Sequence, residues 1–419
     1  MTAQNAPIAT MTREDNRLLT QVANGAPMGK FLRENYWFPA VLSSSLIADG
    51  TPVRVGLLGD KFVAFRSTDG RVGFFNEACP HRRTSLALAR NEDNALRCIY
   101  HGWKFGVDGT VLETPTQPHD RESFCKKVPL RHYPTREAAG LVWVFLGKQA
   151  PRFPDFEFMK AAGKHVATTR QILSYNWVQS LDGLADSAHI GILHQDFLKA
   201  VPGNDAVAAA AADLAPTYEF LDRPGGFRFA AVRKLGQDQR YFRVSEYVAP
   251  WYTFIAYRQG YVMVSVPIDD ESTAQYLIQY NLAAAVVVEA STLDDPTDWP
   301  FYPRHGADGH WGQNREAMKR GGWSGFSIHS ADFAVAESQG SITDRSQEFL
   351  SDSDRAVIYL RRLLIDSVNR FSTGALPTIA EHGEKAYSDV WVGDKVVGAG
   401  EDWRERKTSI PDPVTGMTG

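Results

Sequence analysis

Short apolar runs broken by glycine and aspartate dominate the first third of the chain. Pro52–Gly59, Lys61–Ser67 and Val72–Cys79 are β-rich segments divided by the Gly59-Asp60 and Asp69-Gly70 turn signals. Ala95–Phe105, Thr110–Thr114 and Leu141–Leu146 continue the pattern, which predicts an all-β unit over residues 35–150. Residues 1–34 read as a helix and an arm. Thr12, with Asp15 three residues on, makes a capping-box-like start, and Leu18, Leu19 and Val22 share one face of a helix over Thr12–Asn24. Past residue 150 the period changes. Trp177, Leu181, Leu184 and Ala188 recur at helical spacing within Tyr175–His194. Phe227–Leu235, Tyr241–Val248, Tyr252–Tyr257, Tyr261–Pro267 and Thr273–Leu282 read as strands, so an antiparallel sheet is expected. Asp354–Phe371 is a helix with Ser353 as N-cap and Val357, Leu360, Leu364 and Val368 on one side. Residues 291–341 show no clear period; a stretch of that length is functional or hides an element. The class is α+β, with a second, larger domain over 151–419.

Composition narrows the choices. The 419 residues allow two to three domains at about 150 residues each. With 45 basic and 49 acidic residues the net charge is −4, so no basic excess exists to hold nucleic acid. Cys79, Cys98 and Cys125 are too few for a disulfide scaffold and suit a reducing cytoplasm. The start, MTAQNAPIATMTREDNRLL, lacks the basic-then-apolar order of a secretory signal. The longest apolar stretches, Ala206–Ala212 and Leu282–Val288, fall short of the roughly 20 residues of a membrane helix. The expected location is cytoplasmic, with no membrane contact.

Cys79-Pro80-His81, then 16 residues, then Cys98-Ile99-Tyr100-His101 carries the strongest chemistry. Each motif sits at a strand end and offers one thiolate and one imidazole. Zinc sites usually keep like ligands paired. Mixed Cys/His loops suit an asymmetric two-iron cluster, two thiolates on one iron and two imidazoles on the other, with each loop feeding both irons. Neutral imidazoles make the cluster less negative and raise its potential. CPHRRTSL and CIYHGWKFGVDG resemble the Rieske [2Fe–2S] domain, with Gly102-Trp103 in a tight turn after the second motif. Arg83 departs from the family, which more often has a small residue there, but it is not a ligand.

A second constellation follows. Asp182, Asp186 and His189 fall at i, i+4 and i+7 on one helical face, beside the apolar stripe. Burying such groups without partners is costly, which a metal would explain. His194 lies five residues past His189, a rotation of about 500° on an ideal helix, so a π-bulge or a broken turn is needed to bring the rings together. Oxygen-activating mononuclear iron takes two histidines and one carboxylate. DSAHIGILH after a Rieske domain resembles the oxygenase α-subunits of the Rieske non-haem iron family, phthalate-dioxygenase-like branch. PMGKFLRENYWFP, NWVQSLDGLADSAHIGILH and DRSQEFLSDSDRAV carry the likeness, which covers most of Thr12–Phe371.

That resemblance implies a helix-grip-like catalytic domain. It makes His189 and His194 ligands of a mononuclear Fe(II) and Asp354 the carboxylate, with Asp352 and Asp344 as competitors. Asp186 would bridge a Rieske histidine of one subunit to an iron-ligating histidine of its neighbour, which implies a head-to-tail homotrimer or a multiple of trimers. Asp182 would support the site. No GxGxxG-type fingerprint or flavin site is present, so electrons must come from a separate reductase. The likeness suggests an NADH-fed one with flavin and iron–sulfur centres. The expected reaction uses O2 to hydroxylate an aromatic substrate, an aromatic carboxylate by preference and by cis-dihydroxylation of the ring. O- or N-demethylation is the alternative, and a zinc-stabilised binding protein or a Rieske electron carrier are readings of another class. Arg243 and Arg258, on candidate strands, could meet a substrate carboxylate. Trp299, His305, His310, Trp311, Trp323 and His329 form a lid over the substrate or simply pack their loop.

Overall fold

Two helices, not one, precede the first strand. Thr12 caps α1 (Arg13–Thr20), its hydroxyl accepting from the Asp15 N–H at 3.0 Å. The chain then turns at Gly25, with φ +78°, into α2 (Pro27–Asn35), where proline occupies a first-turn position that needs no N–H. The computed structural model describes residues 10–200, 213–256, 259–287, 306–375, 387–398 and 401–404.

The expected β unit consists of three small antiparallel sheets. Strands β1 (Trp37–Leu42), β9 (Thr135–Ala138) and β10 (Leu141–Phe145) run in the order β1-β10-β9. Strands β2 (Val53–Leu57), β3 (Asp60–Arg66) and β4 (Val72–Asn76) form the second in sequence order. The third holds β5 (Arg90–Glu92), β6 (Ala95–Arg97), β7 (Lys104–Gly106) and β8 (Val111–Glu113). The predicted run Ala95–Phe105 is therefore two short strands flanking a loop, and that loop holds Cys98 and His101.

The second half is built on an eight-stranded antiparallel sheet. Its strands are β11 (Val166–Leu173), β12 (Thr217–Arg223), β13 (Gly226–Leu235), β14 (Gln239–Val248), β15 (Tyr252–Phe254), β16 (Gly260–Pro267), β17 (Thr273–Tyr280) and β18 (Gly393–Gly398). The order is β11-β17-β16-β15-β14-β13-β12, with β18 paired to β14. Alternation along the strands divides the sheet's two faces. Tyr252, Phe254, Val262, Val264, Tyr276 and Ile278 join the same core as Trp143 and Phe156, so both halves of the chain contribute to one apolar interior. The opposite face carries Tyr261, Met263 and Leu277 against Tyr175 and Phe333, and it bounds the cavity described below.

After α3 (Arg121–Cys125) in the first half, the helices of the second half are α4 (Trp177–Ala185), α5 (Ile190–Leu193), α6 (Gln195–Ala200), α7 (Arg315–Lys319), α8 (Ile328–Ser338) and α9 (Arg355–Ser372), and α4, α8 and α9 cover that face of the sheet. Helix α9 matches the predicted span, but Ser353 is not its cap: it lies in a short turn capped by Ser351, and Asp354 stands directly before the helix. Helix α8 lies inside the stretch without a clear period, because it is buried on several sides and alanine-rich, which erases the amphipathic stripe. A buried charge network ties α1, α4 and α9 together. Asp182 accepts from Arg361 (Nε 2.9 Å, Nη2 2.8 Å) and from Arg345 (Nε 3.1 Å, Nη2 2.8 Å). Arg361 also pairs with Glu348, and Arg345 reaches Asn16 at 3.1 Å. No helix among the described residues is long and apolar enough to cross a membrane.

Candidate metal centres

Two loops meet at the tip of the β unit. The Cys79 N–H donates to Thr84 C=O at 2.8 Å, and the Cys98 N–H to Trp103 C=O at 2.9 Å, so each cysteine opens a tight turn. Both cysteines are buried and hydrogen-bonded to each other, and the amides of His81 and Arg82 also point at the Cys79 sulfur. Burial pushes the Cys79 thiol up to about 11. The imidazoles of His81 and His101 lie with centroids 4.4 Å apart, and Trp103 stacks on His81 at 4.3 Å. His81 Nδ1 is buried and has no partner among the described residues. An unpartnered imidazole nitrogen beside a second imidazole and two facing thiols is the donor set of a two-iron cluster. The predicted Gly102 turn is present, with φ +72°.

The second group arises from a broken helix. Helix α4 ends at Ala185, and Asp186 leaves it with extended backbone (φ −82°, ψ 124°). One carboxylate oxygen of Asp186 then accepts from the Ala188 N–H at 2.7 Å and restarts the helix. His189 stands before α5 and His194 directly after it, in a non-helical conformation. The helix break that the spacing demanded is there, and the two rings lie with centroids 5.1 Å apart. Asp182, Asp186 and His189 therefore do not form a single helical stripe: Asp182 faces the arginines, while Asp186 accepts from His189 Nδ1 at 3.2 Å. That leaves His189 Nε2 as the free ligand atom.

The carboxylate that joins these histidines is Asp332, on α8. Its Oδ1 lies 3.0 Å from His194 Nε2 and 3.6 Å from His189 Nε2, and one ligand atom from each residue falls within 4.8 Å of the others. Burial pushes the Asp332 carboxyl up, but His194 and His189 overcome it, so its pKa lies below the ordinary value. Burial pulls the His189 imidazole down, and Asp186 and Asp332 more than offset it. Asp354, expected as the carboxylate, is not part of this cluster. Its carboxylate accepts from the Ser351 N–H at 2.6 Å and hydroxyl at 2.9 Å in a capping box ahead of α9. Asp352 pairs with Arg355 and Asp344 caps a short turn, so neither competitor approaches the histidines. Asp332 is not marked in the sequence because its helix shows no stripe. A lone acid inside Ala331-Asp332-Phe333-Ala334-Val335-Ala336 was the available signal.

The cluster lies in the wall of a cavity of about 1310 Å³. Arg243 also lines it, held by Asp394 (3.3 Å) and Ala256 C=O (3.2 Å). Arg258 lies outside the described residues, as do Trp299 and His305. Of the other lid candidates, His329 is on α8 with its Nε2 2.8 Å from the Tyr261 hydroxyl, and Trp323 is half exposed.

The comparisons with known proteins follow the same division. A Rieske [2Fe-2S] domain model matches residues 36–134, and a model described as LigXa C-terminal domain like matches 142–414. The phthalate 4,5-dioxygenase oxygenase subunit of Pseudomonas putida is 37% identical and aligns over 94% of each chain. The chain belongs to the Rieske oxygenase family. The 3-chlorobenzoate-3,4-dioxygenase oxygenase subunit of Comamonas testosteroni is 31% identical over 90% of this Rieske oxygenase and 93% of its own length. Dicamba monooxygenase shares the fold at a TM-score of 0.57 and 17% identity, over 82% of this chain and 99% of that one. This Rieske oxygenase is an oxidoreductase that incorporates O2, with a [2Fe–2S] cluster in its first domain and mononuclear iron in its second. The zinc-stabilised alternative falls away. The departure at Arg83 also gains a physical meaning: φ there is +65°, backbone that favours glycine.

Proposed function

We propose that this terminal oxygenase hydroxylates an aromatic carboxylate with O2 and electrons from NADH, by cis-dihydroxylation of the ring. The electrons arrive through a separate reductase carrying flavin and an iron–sulfur centre. One observation carries the reading: His189, His194 and Asp332 converge on a cavity whose wall also presents the Arg243 guanidinium. When bound, the cluster and the iron supply one-electron transfer and O2 activation.

The residues divide that work. Cys79, His81, Cys98 and His101 would hold the cluster, and His189, His194 and Asp332 would hold the iron. Asp186 accepts the His189 Nδ1 proton and fixes that ring's tautomer and direction. Arg243 donates to Asp394 and to Ala256 C=O and also bonds Tyr241, and its five N–H donors leave capacity to meet a carboxylate. The cavity volume accommodates an aromatic acid and the water it displaces. The active species is a homotrimer or a multiple of it, in which Asp186 also meets a cluster histidine of the neighbouring subunit. O-demethylation is the second reading, favoured by 27% identity to the 5,5'-dehydrodivanillate O-demethylase oxygenase subunit of Sphingobium sp., over 88% of this chain.

Both readings meet one experiment. The iron-loaded full chain is supplied with NADH, such a reductase and 18O2, and a panel of benzoates, phthalates and methoxybenzoates is screened by mass spectrometry. Two labelled oxygens in the product identify dihydroxylation. Loss of a methyl group identifies demethylation. No oxygen-coupled product from any aromatic carboxylate would overturn the substrate class.

A further inference from the structure

The segment joining Asp186 to His189 is gripped from the sheet by two buried side chains, and every polar group of Ser187 is used. The Ser187 N–H donates to the Tyr218 hydroxyl at 3.0 Å. Its C=O accepts from Arg233 Nη2 at 2.6 Å, and its hydroxyl oxygen lies 3.4 Å from both Nη1 and Nη2. Ser187 is itself buried, as is Tyr218 on β12, and Arg233 on β13 has no exposed surface. The remaining Arg233 bond goes from Nε to Asp213 C=O at 3.1 Å. Among the described residues no carboxylate pairs with Arg233, in contrast to Arg228, Arg243, Arg345 and Arg361.

A fully buried guanidinium with carbonyl and hydroxyl acceptors only is costly to desolvate, and an apolar residue of similar volume would be the cheaper core filler. Burial does push its pKa down. What it holds explains its presence. At Asp186 the backbone leaves the helix, and the next three residues set the Asp186 carboxylate and the His189 ring. Helical hydrogen bonds cannot fix that break, since the regular ladder is interrupted there. Arg233 on β13 and Tyr218 on β12 supply the missing constraint from the continuous β12–β13–β14 pairing. We infer that Arg233 and Tyr218 are positioning residues that set the Asp186–His189 turn for metal binding and for electron transfer into the iron site. The inference rests on His189, His194 and Asp332 being the iron ligands.

The test uses the full-length protein with its cluster, comparing wild type with Arg233→Gln, Arg233→Lys, Tyr218→Phe and Asp332→Asn. Iron and Co(II) affinity of the mononuclear site, the visible absorption of bound Co(II), the cluster's absorption, and single-turnover reoxidation of the reduced cluster are measured. Arg233→Gln should weaken metal affinity by about 10- to 100-fold and shift the Co(II) bands. Tyr218→Phe, which removes one oxygen atom, should do the same to a smaller extent. Both should slow cluster reoxidation while leaving cluster absorption unchanged. Arg233→Lys should recover part of the affinity, since it restores charge and one donor without the planar fork. Should Arg233→Gln fail to fold, Tyr218→Phe decides alone. Wild-type affinity, Co(II) bands and reoxidation rate in Tyr218→Phe, or in a folded Arg233→Gln, overturn the positioning role. Retention of iron by Asp332→Asn would instead overturn the ligand set, so the two failures are told apart.

Discussion

The two metal-binding regions of this oxygenase solve one problem in opposite ways. Around the cluster site, each proposed ligand pair comes from a single tight loop, Cys79 to His81 and Cys98 to His101, and turn hydrogen bonds within the loops fix the geometry. In the catalytic domain two proposed ligands flank a one-turn helix, and the third lies on α8 in a distant part of the chain. Local loops make a centre that survives changes elsewhere in the fold. A centre assembled from separate helices depends on whatever holds those helices in register: the Asp182 network, the Ser187 clasp and the core beneath them.

The sharpest way to test this contrast is to remove the distant ligand. Asp332→Ala should abolish mononuclear iron and lower turnover by more than about 100-fold, exceeding the usual outer-shell effect, while cluster absorption stays intact. Asp354→Ala should keep its iron and cost about 1 kcal/mol, the size of a lost helix cap. Metal analysis of the two variants side by side checks this; iron missing from Asp354→Ala and present in Asp332→Ala would reverse the assignment.

The dependence on long-range register predicts a second effect. Asp182→Asn leaves Arg345 and Arg361 facing a neutral amide and should destabilise the catalytic domain by about 3 kcal/mol, the lower end for breaking a buried pair, because Arg361 keeps Glu348. Burial raises the Asp182 pKa, yet Arg361 and Arg345 outweigh it and hold it below 3.8. For a carboxylate depressed on folding, the stabilisation is complete above the unfolded value of about 3.9 and is lost as pH falls through the folded one. Wild type should therefore lose stability steeply below about pH 4, and Asp182→Asn should show a shallower slope there. Urea unfolding across pH 3 to 7 measures both; parallel slopes would remove Asp182 from the acid response.

The same contrast explains what could be read from the chain alone. The cluster ligands are legible because their chemistry lies within a few residues, and the strands around them carry explicit turn signals. The sheet strands Gly226–Leu235 and Gly260–Pro267 are legible because their apolar runs end at turn residues. His189 and His194 as ligands come from the family resemblance, their spacing being weak evidence alone, while the need for a broken helix follows from helical geometry. Asp332 is not legible in this way. Its helix is buried on several sides, so the sequence lacks a polar stripe to reveal the element, and no short motif links it to the histidines. The family resemblance points to Asp354, which instead stands at the start of an amphipathic helix, where an acid serves the helix itself. Arg233 and Tyr218 are similarly silent in sequence, since a strand arginine usually faces solvent and only the fold turns this one inward.

The compact cluster loops carry one internal cost, and it gives the smallest expected effect. Arg83 holds φ +65° so that its N–H can return to Cys79 C=O at 2.9 Å. An L side chain in that region costs about 1 kcal/mol or slightly more, which glycine avoids and alanine does not. The Arg83 side chain is exposed, so removing it sacrifices little packing. Arg83→Gly should then be more stable than Arg83→Ala by about 0.5 kcal/mol, since glycine's freer unfolded chain offsets part of the relief. Thermal unfolding of the two variants, followed through loss of the cluster's visible absorption, isolates the backbone effect from the loss of charge that both share. Equal stabilities would mean that the loop relaxes out of the left-handed region once the arginine is gone. The cluster centre would then be less rigidly local than its hydrogen bonds imply, and closer in character to the iron site.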